Sequence, residues 1–244
     1  MLNMVLQIAW AITGAGHFLA ETFESMTTLV QNNKIAVTTY LSSAAEQVIK
    51  MYGLWSNLEQ ISSGTYLQEI FAENSQDPGF SHAGRFIVEP YRALVVSPAS
   101  ANTVAKIVCG IADTLVTNAV AQAQKGGVPV YVVPTDQKRG FVETVLPYRI
   151  DKRNCKQCDP CSIVDTCPHC AVKIVDCIPK ISSAICQGCG LCVTSCPFGA
   201  VKYAEKKKMW IRSVDVQNVK KLESMDNLTV LENPQQIQTV IAKL

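Results

Sequence analysis

The chain has 244 residues, 48% of them hydrophobic, enough for one large core and a smaller appendage. A formal net charge of +2 with 17% charged residues excludes the bulk basic signature of a nucleic-acid binder. Of its 11 cysteines all but Cys109 fall between Cys155 and Cys196. In a chain of this length, with regular C-x2-C steps, that pattern excludes a disulfide scaffold.

An apolar run over residues 5–12 opens the chain. It is too short to span a bilayer, and no Lys or Arg precedes it as an export signal requires. It reads as a buried parallel strand of a cytoplasmic protein with no membrane partner. Thr13-Gly14-Ala15-Gly16 is the turn after it, and residues 18–31 follow with helical spacing. Residues 34–41 (KIAVTTYL) form a β-branched strand. Residues 42–52 (SSAAEQVIKMY) form a helix opened by Ser42, with Glu46 in its first turn and Gly53 just past its end. The stretch 74–84, with Pro78, Gly79 and Gly84, is expected to be either a mobile or functional loop or an ordinary surface connection. Residues 93–96 (ALVV) are a third strand, and Pro98 stands where a helix could begin. Helices over 101–108 and 112–125 are separated by Gly110, and Gly126-Gly127 precedes a fourth strand over 128–133. Strands alternating with helices predict an α/β fold: a doubly wound, Rossmann-like (flavodoxin-like) parallel sheet with its site at the carboxyl ends of the strands.

Three zones follow from this pattern: a sheet domain over 1–150, a cysteine zone over 151–205 and a tail over 206–244. The tail begins with Lys206-Lys207-Lys208, which is either a docking patch for an acidic protein or a solvated face. It continues with a short strand over 228–231 and a helix from Asn233-Pro234 to Ala242, packing on its own domain or on a neighbouring subunit.

The cysteine zone holds two motifs. Cys186-x2-Cys189-x2-Cys192-x3-Cys196-Pro197 is the bacterial ferredoxin run, and Cys155-x2-Cys158-x2-Cys161 followed by Cys167-Pro168 is a variant of it. In such runs three cysteines wrap one cluster and the fourth, before proline, turns to the other. The spacing predicts two [4Fe–4S] clusters in a bacterial-ferredoxin-like α+β domain. One is held by Cys155, Cys158, Cys161 and Cys196, the other by Cys186, Cys189, Cys192 and Cys167. Zinc is the competing reading, but zinc ribbons use two knuckles and no triple step ending in Cys-Pro. Five residues separate Cys161 from Cys167 where three are usual, which leaves Cys170 as an alternative to Cys167. Cys170 and Cys177 are otherwise surplus thiols, and Cys109 is expected to be a small core residue.

Three elements suit an anion. Residues 97–103 (SPASANT) follow a strand and open a helix, the Thr13–Gly16 turn follows the first strand, and Ser42 follows the second. Unpaired N–H groups at one edge of one sheet describe a site for a phosphate-bearing cofactor.

Residues 98–103 (PASANT), with Ala105-Lys106 and Gly110-Ile111-Ala112-Asp113, resemble the signature of the homo-oligomeric FMN-containing cysteine decarboxylases. The relatives of those enzymes include phosphopantothenoylcysteine decarboxylases, flavin prenyltransferases and archaeal flavoproteins. The resemblance covers about residues 4–135. It implies FMN at the subunit interfaces of a trimer-based homo-oligomer. It also implies phosphate and ribityl contacts from Gly14, Ala15, Gly16 and Ser42, with Ser97, Ser100, Ala101, Asn102 and Thr103 lining the flavin. Asn102 would reach the ring or substrate, or else cap the following helix. The pattern departs from the decarboxylases at their catalytic His, where this chain has Gly84 and His82 is out of register. Their PxMNxxMW-like clamp is replaced by Pro134-Thr135-Asp136-Gln137, so cysteine decarboxylation is not expected.

The order of flavin domain then clusters resembles the archaeal iron–sulfur dihydromethanopterin reductases. That resemblance implies a pterin substrate reduced to its tetrahydro form, with electrons from ferredoxin or a similar low-potential donor. Candidate catalytic residues are His17, Asn102 and His82, and Tyr40, Tyr91 or water could also supply the proton. His169 reads as a neighbour of a cluster. The alternative is a non-enzymatic electron-transfer flavoprotein that hands electrons to a protein partner.

Overall fold

A computed structural model describes residues 5–33, 35–73 and 80–244. Its first elements in chain order are β1 (Leu6–Ile12), α1 (Leu19–Asn33), β2 (Ile35–Leu41), α2 (Ser43–Met51), α3 (Trp55–Ile61) and β3 (Ile70–Ala72). Next come α4 (Phe80–Ala83), α5 (Arg85–Val88), β4 (Ala93–Ala99), α6 (Ala101–Val108), α7 (Leu115–Lys125) and β5 (Val130–Pro134). Then follow β6 (Gly140–Val145), β7 (Arg149–Ile150), α8 (Ser162–Thr166), β8 (Val172–Val175), β9 (Ile178–Ile181) and α9 (Leu191–Ser195). The chain ends with β10 (Val201–Lys202), β11 (Lys206–Ile211), α10 (Ser213–Leu222), β12 (Leu228–Val230) and α11 (Gln235–Ile241). Two compact units result. The first takes the chain up to Glu46, Asn57–Val142 and Met209–Leu244; the second takes Gln47–Ser56 and Glu143–Lys208.

The first unit is built on a six-stranded sheet in the order β12-β5-β4-β1-β2-β3, with every pair parallel. Counted from β3 this is the Rossmann order, and the direction of winding switches between β1 and β4. Every residue of β2 and β4 is buried, so both read as continuous apolar runs without alternation. Ala9, Ala11, Leu94, Val96, Val120 and Val132 belong to the core between the sheet and its helices. The tail is integral to this unit. Its β12 pairs with β5, Leu228 opposite Val130, and α10 puts Val219 and Leu222 into the core. On α11, Ile237 and Ile241 are buried, and Pro234 just before it accepts a 3.0 Å hydrogen bond from the Ser25 hydroxyl.

Several expectations shift. Pro98 does not open a helix: β4 runs on to Ala99, and the register against β5 changes after Val96, where a residue without N–H is tolerated. α7 starts at Leu115 because Thr114 caps it in a reciprocal box with Thr117. Cys109 is not a core residue; it is exposed at the carboxyl end of α6. In the stretch expected to be a loop of either kind, residues 74–79 lie outside the described residues, as does Lys34 of the second predicted strand. Residues 80–83 form α4, and Gly84 is the N-cap of α5. Among the described residues no helix is long and apolar enough to cross a membrane.

The second unit contains the antiparallel hairpin β8–β9, the antiparallel pair β7–β10 and the short helices α8 and α9. Its small core centres on Ile163, Val172 and Val201, with Tyr148, Ile150 and Ile181 packed against them. The strands β6 and β11 pair as a ribbon along which the chain leaves the first unit and later returns to it.

Candidate functional site

At the switch point Thr13 follows β1 with its side chain buried. Its hydroxyl donates to the Pro98 carbonyl at 2.7 Å and accepts from the Ser100 N–H at 2.8 Å. Its own N–H also donates to Pro98 O, at 3.2 Å. One side chain therefore clamps the turn after β1 to the turn after β4. Below it Trp10 Nε1 donates to Ser97 O at 3.1 Å, and the Thr22 and Ser97 hydroxyls are 2.8 Å apart. Thr13→Val is expected to leave the Pro98 carbonyl and the Ser100 amide short of partners and to lower stability by about 1–3 kcal/mol. The shift of the urea unfolding midpoint measures this.

Gly14 is required by space. A Cβ there would stand 2.4 Å from Ala44 Cβ and 3.1 Å from its carbonyl carbon, so the backbone of the first turn lies against the start of α2. Ala15 N–H turns back to Thr13 O at 2.8 Å. Ser42 Oγ accepts from Ala45 N at 3.2 Å as the cap of α2, and its own O–H stays available as a donor. Ser100 caps α6 by accepting from Thr103 N, and its Oγ is 3.1 Å from Thr103 Oγ1. Asn102 is therefore not the cap; it is exposed in the first turn of α6, beside half-buried Ala101.

Glu73, just past β3, was not signalled by any motif. Its carboxylate accepts from Ser43 N at 2.8 Å and from Leu115 N at 3.0 Å, so one side chain sits on the amino ends of both α2 and α7. That carboxylate takes one N–H at each of the two helix ends and offsets their dipoles. A turn with no room for a Cβ beside the Ser42 hydroxyl fits the phosphate-bearing end of a flavin.

The remaining candidates are distributed around this edge. His17 is half-buried next to Gly16, its ring 3.9 Å from that of Phe18. His82 stacks on Phe71 at 3.8 Å. Tyr40 and Tyr91 are buried core residues; Tyr40 Oη lies 3.4 Å from Tyr91 Oη and 3.3 Å from His82 O. Burial holds the Tyr40 phenol well above its ordinary range, which suits a structural hydrogen bond better than proton delivery.

The thiols of the second unit separate into two pockets. Cys155, Cys158, Cys161 and Cys196 line one, with Ile163, Pro197 and Ala200 among its other walls. Cys167, Cys186, Cys189 and Cys192 line the other, with Tyr148 and His169. The two halves are built alike. Cys161 caps the amino end of α8 and Cys167 its carboxyl end; Gly190, at φ +78°, starts α9 and Cys196 ends it. The short helices thus deliver the fourth cysteine of each motif to the pocket of the other. Ala171 N–H donates to Cys167 Sγ at 3.3 Å. Cys170 is exposed at φ +51° and lines neither pocket; Cys177 is exposed as well. Among the described residues no group of three or more His, Cys, Asp or Glu is arranged to hold a single metal ion. Burial pushes the Cys186 and Cys192 thiols up, so iron binding must displace their protons. Two pockets of four thiols are a donor set that fits two cuboidal clusters.

Comparison with known proteins bears on both units. The family described as Flavoprotein matches residues 3–187, and a 4Fe-4S binding domain matches residues 178–201. A dihydromethanopterin reductase (acceptor) of Methanosarcina mazei is 46% identical over 95% of this chain and 97% of its own. One of Methanocaldococcus jannaschii is 43% identical over 95% of this chain and 94% of its own. The crystal structure of Burkholderia xenovorans DmrB in complex with FMN, described as a cubic protein cage for redox transfer, superposes with a TM-score of 0.60. It is 22% identical and covers 99% of this chain and 96% of that one, which establishes the shared fold. The chain belongs to the flavoprotein family, alongside the dihydromethanopterin reductases (acceptor) to which it is similar over nearly its whole length.

Proposed function

We propose that the chain is an FMN-dependent oxidoreductase that takes single electrons through two [4Fe–4S] clusters and reduces dihydromethanopterin, or dihydrosarcinapterin, to the tetrahydro form. The observation that carries this reading is the pairing of two four-thiol pockets with a Rossmann strand order and its switch point in one chain. The 46% and 43% identity to reductases of that description supports the choice of pterin.

Bound FMN supplies the conversion of single electrons into a hydride, which a cluster alone cannot deliver. The protein's part is placement and protons. Cys155, Cys158, Cys161 and Cys196 would hold one cluster, and Cys167, Cys186, Cys189 and Cys192 the other. Gly14, Ala15, Gly16 and Ser42 would hold the phosphate and ribityl chain, with the Thr13 clamp fixing the two turns relative to each other. Ser97, Ser100, Ala101, Asn102 and Thr103 would line the ring. Asn102, exposed at the start of α6, can turn its amide toward ring or substrate. Reduction of a C=N bond also needs a proton, and half-buried His17 beside Gly16 is the residue best placed along the chain to supply it. The same reading makes the protein a cytoplasmic homo-oligomer with FMN between subunits, fed by ferredoxin or a similar donor.

Anaerobic stopped-flow spectroscopy tests the substrate. Dihydromethanopterin is expected to reoxidise the reduced holoprotein on the order of 10²-fold faster than buffer, the scale that positioning and a proton donor supply. Reoxidation no faster than in buffer would sink the reductase reading and favour a pure electron carrier.

A further inference from the structure

Within the second unit, alternation along the antiparallel pairs β7–β10 and β8–β9 separates an inner from an outer face. Ile150 opposite Val201, and Val172 opposite Ile181, turn to the small core. The neighbouring positions therefore turn away from it. These are Arg149 opposite Lys202 and Lys173 opposite Lys180, two cross-strand pairs of like charge. Like charges directly opposite one another destabilise a sheet, so the fold itself gives no reason for them. Glu205, paired with Arg149, and Asp176, 4.0 Å from Lys180, offset one member of each pair. Asp151 is held by Arg153 at 3.2 Å.

A groove of about 280 Å³ lies between β7 and β9. Arg149, Lys152 and Lys180 stand on its walls, all three exposed, and none of the residues lining it is acidic. The rest of the lining is Tyr148, Pro179 and three isoleucines. Tyr148, its ring stacked on Tyr203 at 4.1 Å, and Ile181 also line the pocket of Cys167, Cys186, Cys189 and Cys192. Pro179 also lines the pocket of Cys155, Cys158, Cys161 and Cys196. The groove thus backs onto both sets of thiols through single residues. Lys206-Lys207-Lys208, by contrast, lines none of these cavities, and Lys206 is held by Glu143 at 3.2 Å.

We propose that this groove is the docking site of an acidic one-electron carrier protein, and that electrons enter the chain there. An apolar lining rimmed by cations suits a protein surface with an apolar centre and a carboxylate rim. The cations are spread over two strand pairs instead of converging on one point, which suits a protein face and not a small anion. They raise the rate of encounter and orient the carrier. In each encounter the carrier is oxidised by one electron and a cluster reduced by one; no bond forms or breaks. The proposal rests on the cluster reading of the thiol pockets, which iron content per chain tests separately.

Isothermal titration calorimetry of the full-length holoprotein, with an oxidised acidic ferredoxin as the probe, measures docking without electron transfer. At low ionic strength Lys152→Gln/Lys180→Gln is expected to weaken binding about 10-fold, and the difference from the parent should shrink at high salt. Lys207→Gln/Lys208→Gln removes the same charge from β11 and is expected to leave the affinity unchanged. No loss in the first variant, or an equal loss in the second, would overturn the proposal. Lys173→Glu separates docking from folding, because it sets a carboxylate opposite Lys180. It is expected to raise the urea unfolding midpoint and to weaken binding. Binding that stays unchanged, or that falls together with the midpoint, rejects the assignment.

Discussion

Replacing Cys167 by alanine is expected to lower the iron content from about eight to about four per chain, while Cys170→Ala leaves it unchanged. Spacing alone left the two thiols as alternatives, because the interval after Cys161 is longer than in the regular motif. The structure separates them by geometry. The extra residues are taken up by α8, which starts at Ser162 and delivers Cys167, its carboxyl cap, to the pocket of Cys186, Cys189 and Cys192. Ala171 N–H donates to the Cys167 sulfur, the kind of bond that stabilises a thiolate on iron. Cys170 follows in a left-handed turn with its side chain in solvent. Loss of a cluster interrupts the electron path, so reduction of the flavin by a protein donor should slow by about 100-fold or more in Cys167→Ala and stay unchanged in Cys170→Ala. Colorimetric iron determination and anaerobic stopped-flow reduction measure both effects. An iron content lowered by Cys170→Ala and untouched by Cys167→Ala would exchange the two ligands.

The parts of this protein legible in its sequence are those where chemistry or burial leaves a periodic mark. β1, β2, β4 and β5 lie within a few residues of their expected bounds because parallel strands buried on both faces must be continuous apolar runs. The cysteine motifs are legible for a different reason: cluster geometry dictates their steps. β3, α4 and α5 carry no such mark, being three or four residues long. The strand at 228–231 is visible as an apolar run, but nothing local announces that it completes the sheet beside β5. Contacts distant in sequence are the least legible. The abutment of Gly188 on Gly53 exists only once α2 and the cluster loop are folded together. Glu73 leaves no local mark in the sequence because its role depends on β3 placing one carboxylate at two helix ends. Asn102 shows the converse. Its residue type suits a cap, but β4 extends far enough for Ser100 to take that position.

Gly14→Val should abolish most flavin binding while leaving the iron in place. The Cβ of any larger residue at position 14 meets Ala44 Cβ at 2.4 Å, and that atom is fixed to the first turn of α2 and cannot swing away. The turn after β1 and the start of α2 must then separate, and these are the two segments proposed to enclose the phosphate. The Thr13 clamp resists the movement, because its hydroxyl is held by Pro98 O and Ser100 N on the opposite turn. Strain of this kind costs about 1–3 kcal/mol, equivalent to roughly a 5- to 150-fold loss of affinity for the flavin. The thiol pockets belong to the second unit and contain no residue of this turn, so the iron-to-protein ratio is expected to match the parent. The flavin-to-protein absorbance ratio after desalting, with iron measured on the same sample, separates the two effects. Flavin retained at the parental ratio would place the phosphate away from Gly14. Loss of iron together with flavin would show instead that the substitution unfolds the chain, a case that Gly14→Ala, with the smaller side chain, resolves by weakening flavin binding alone.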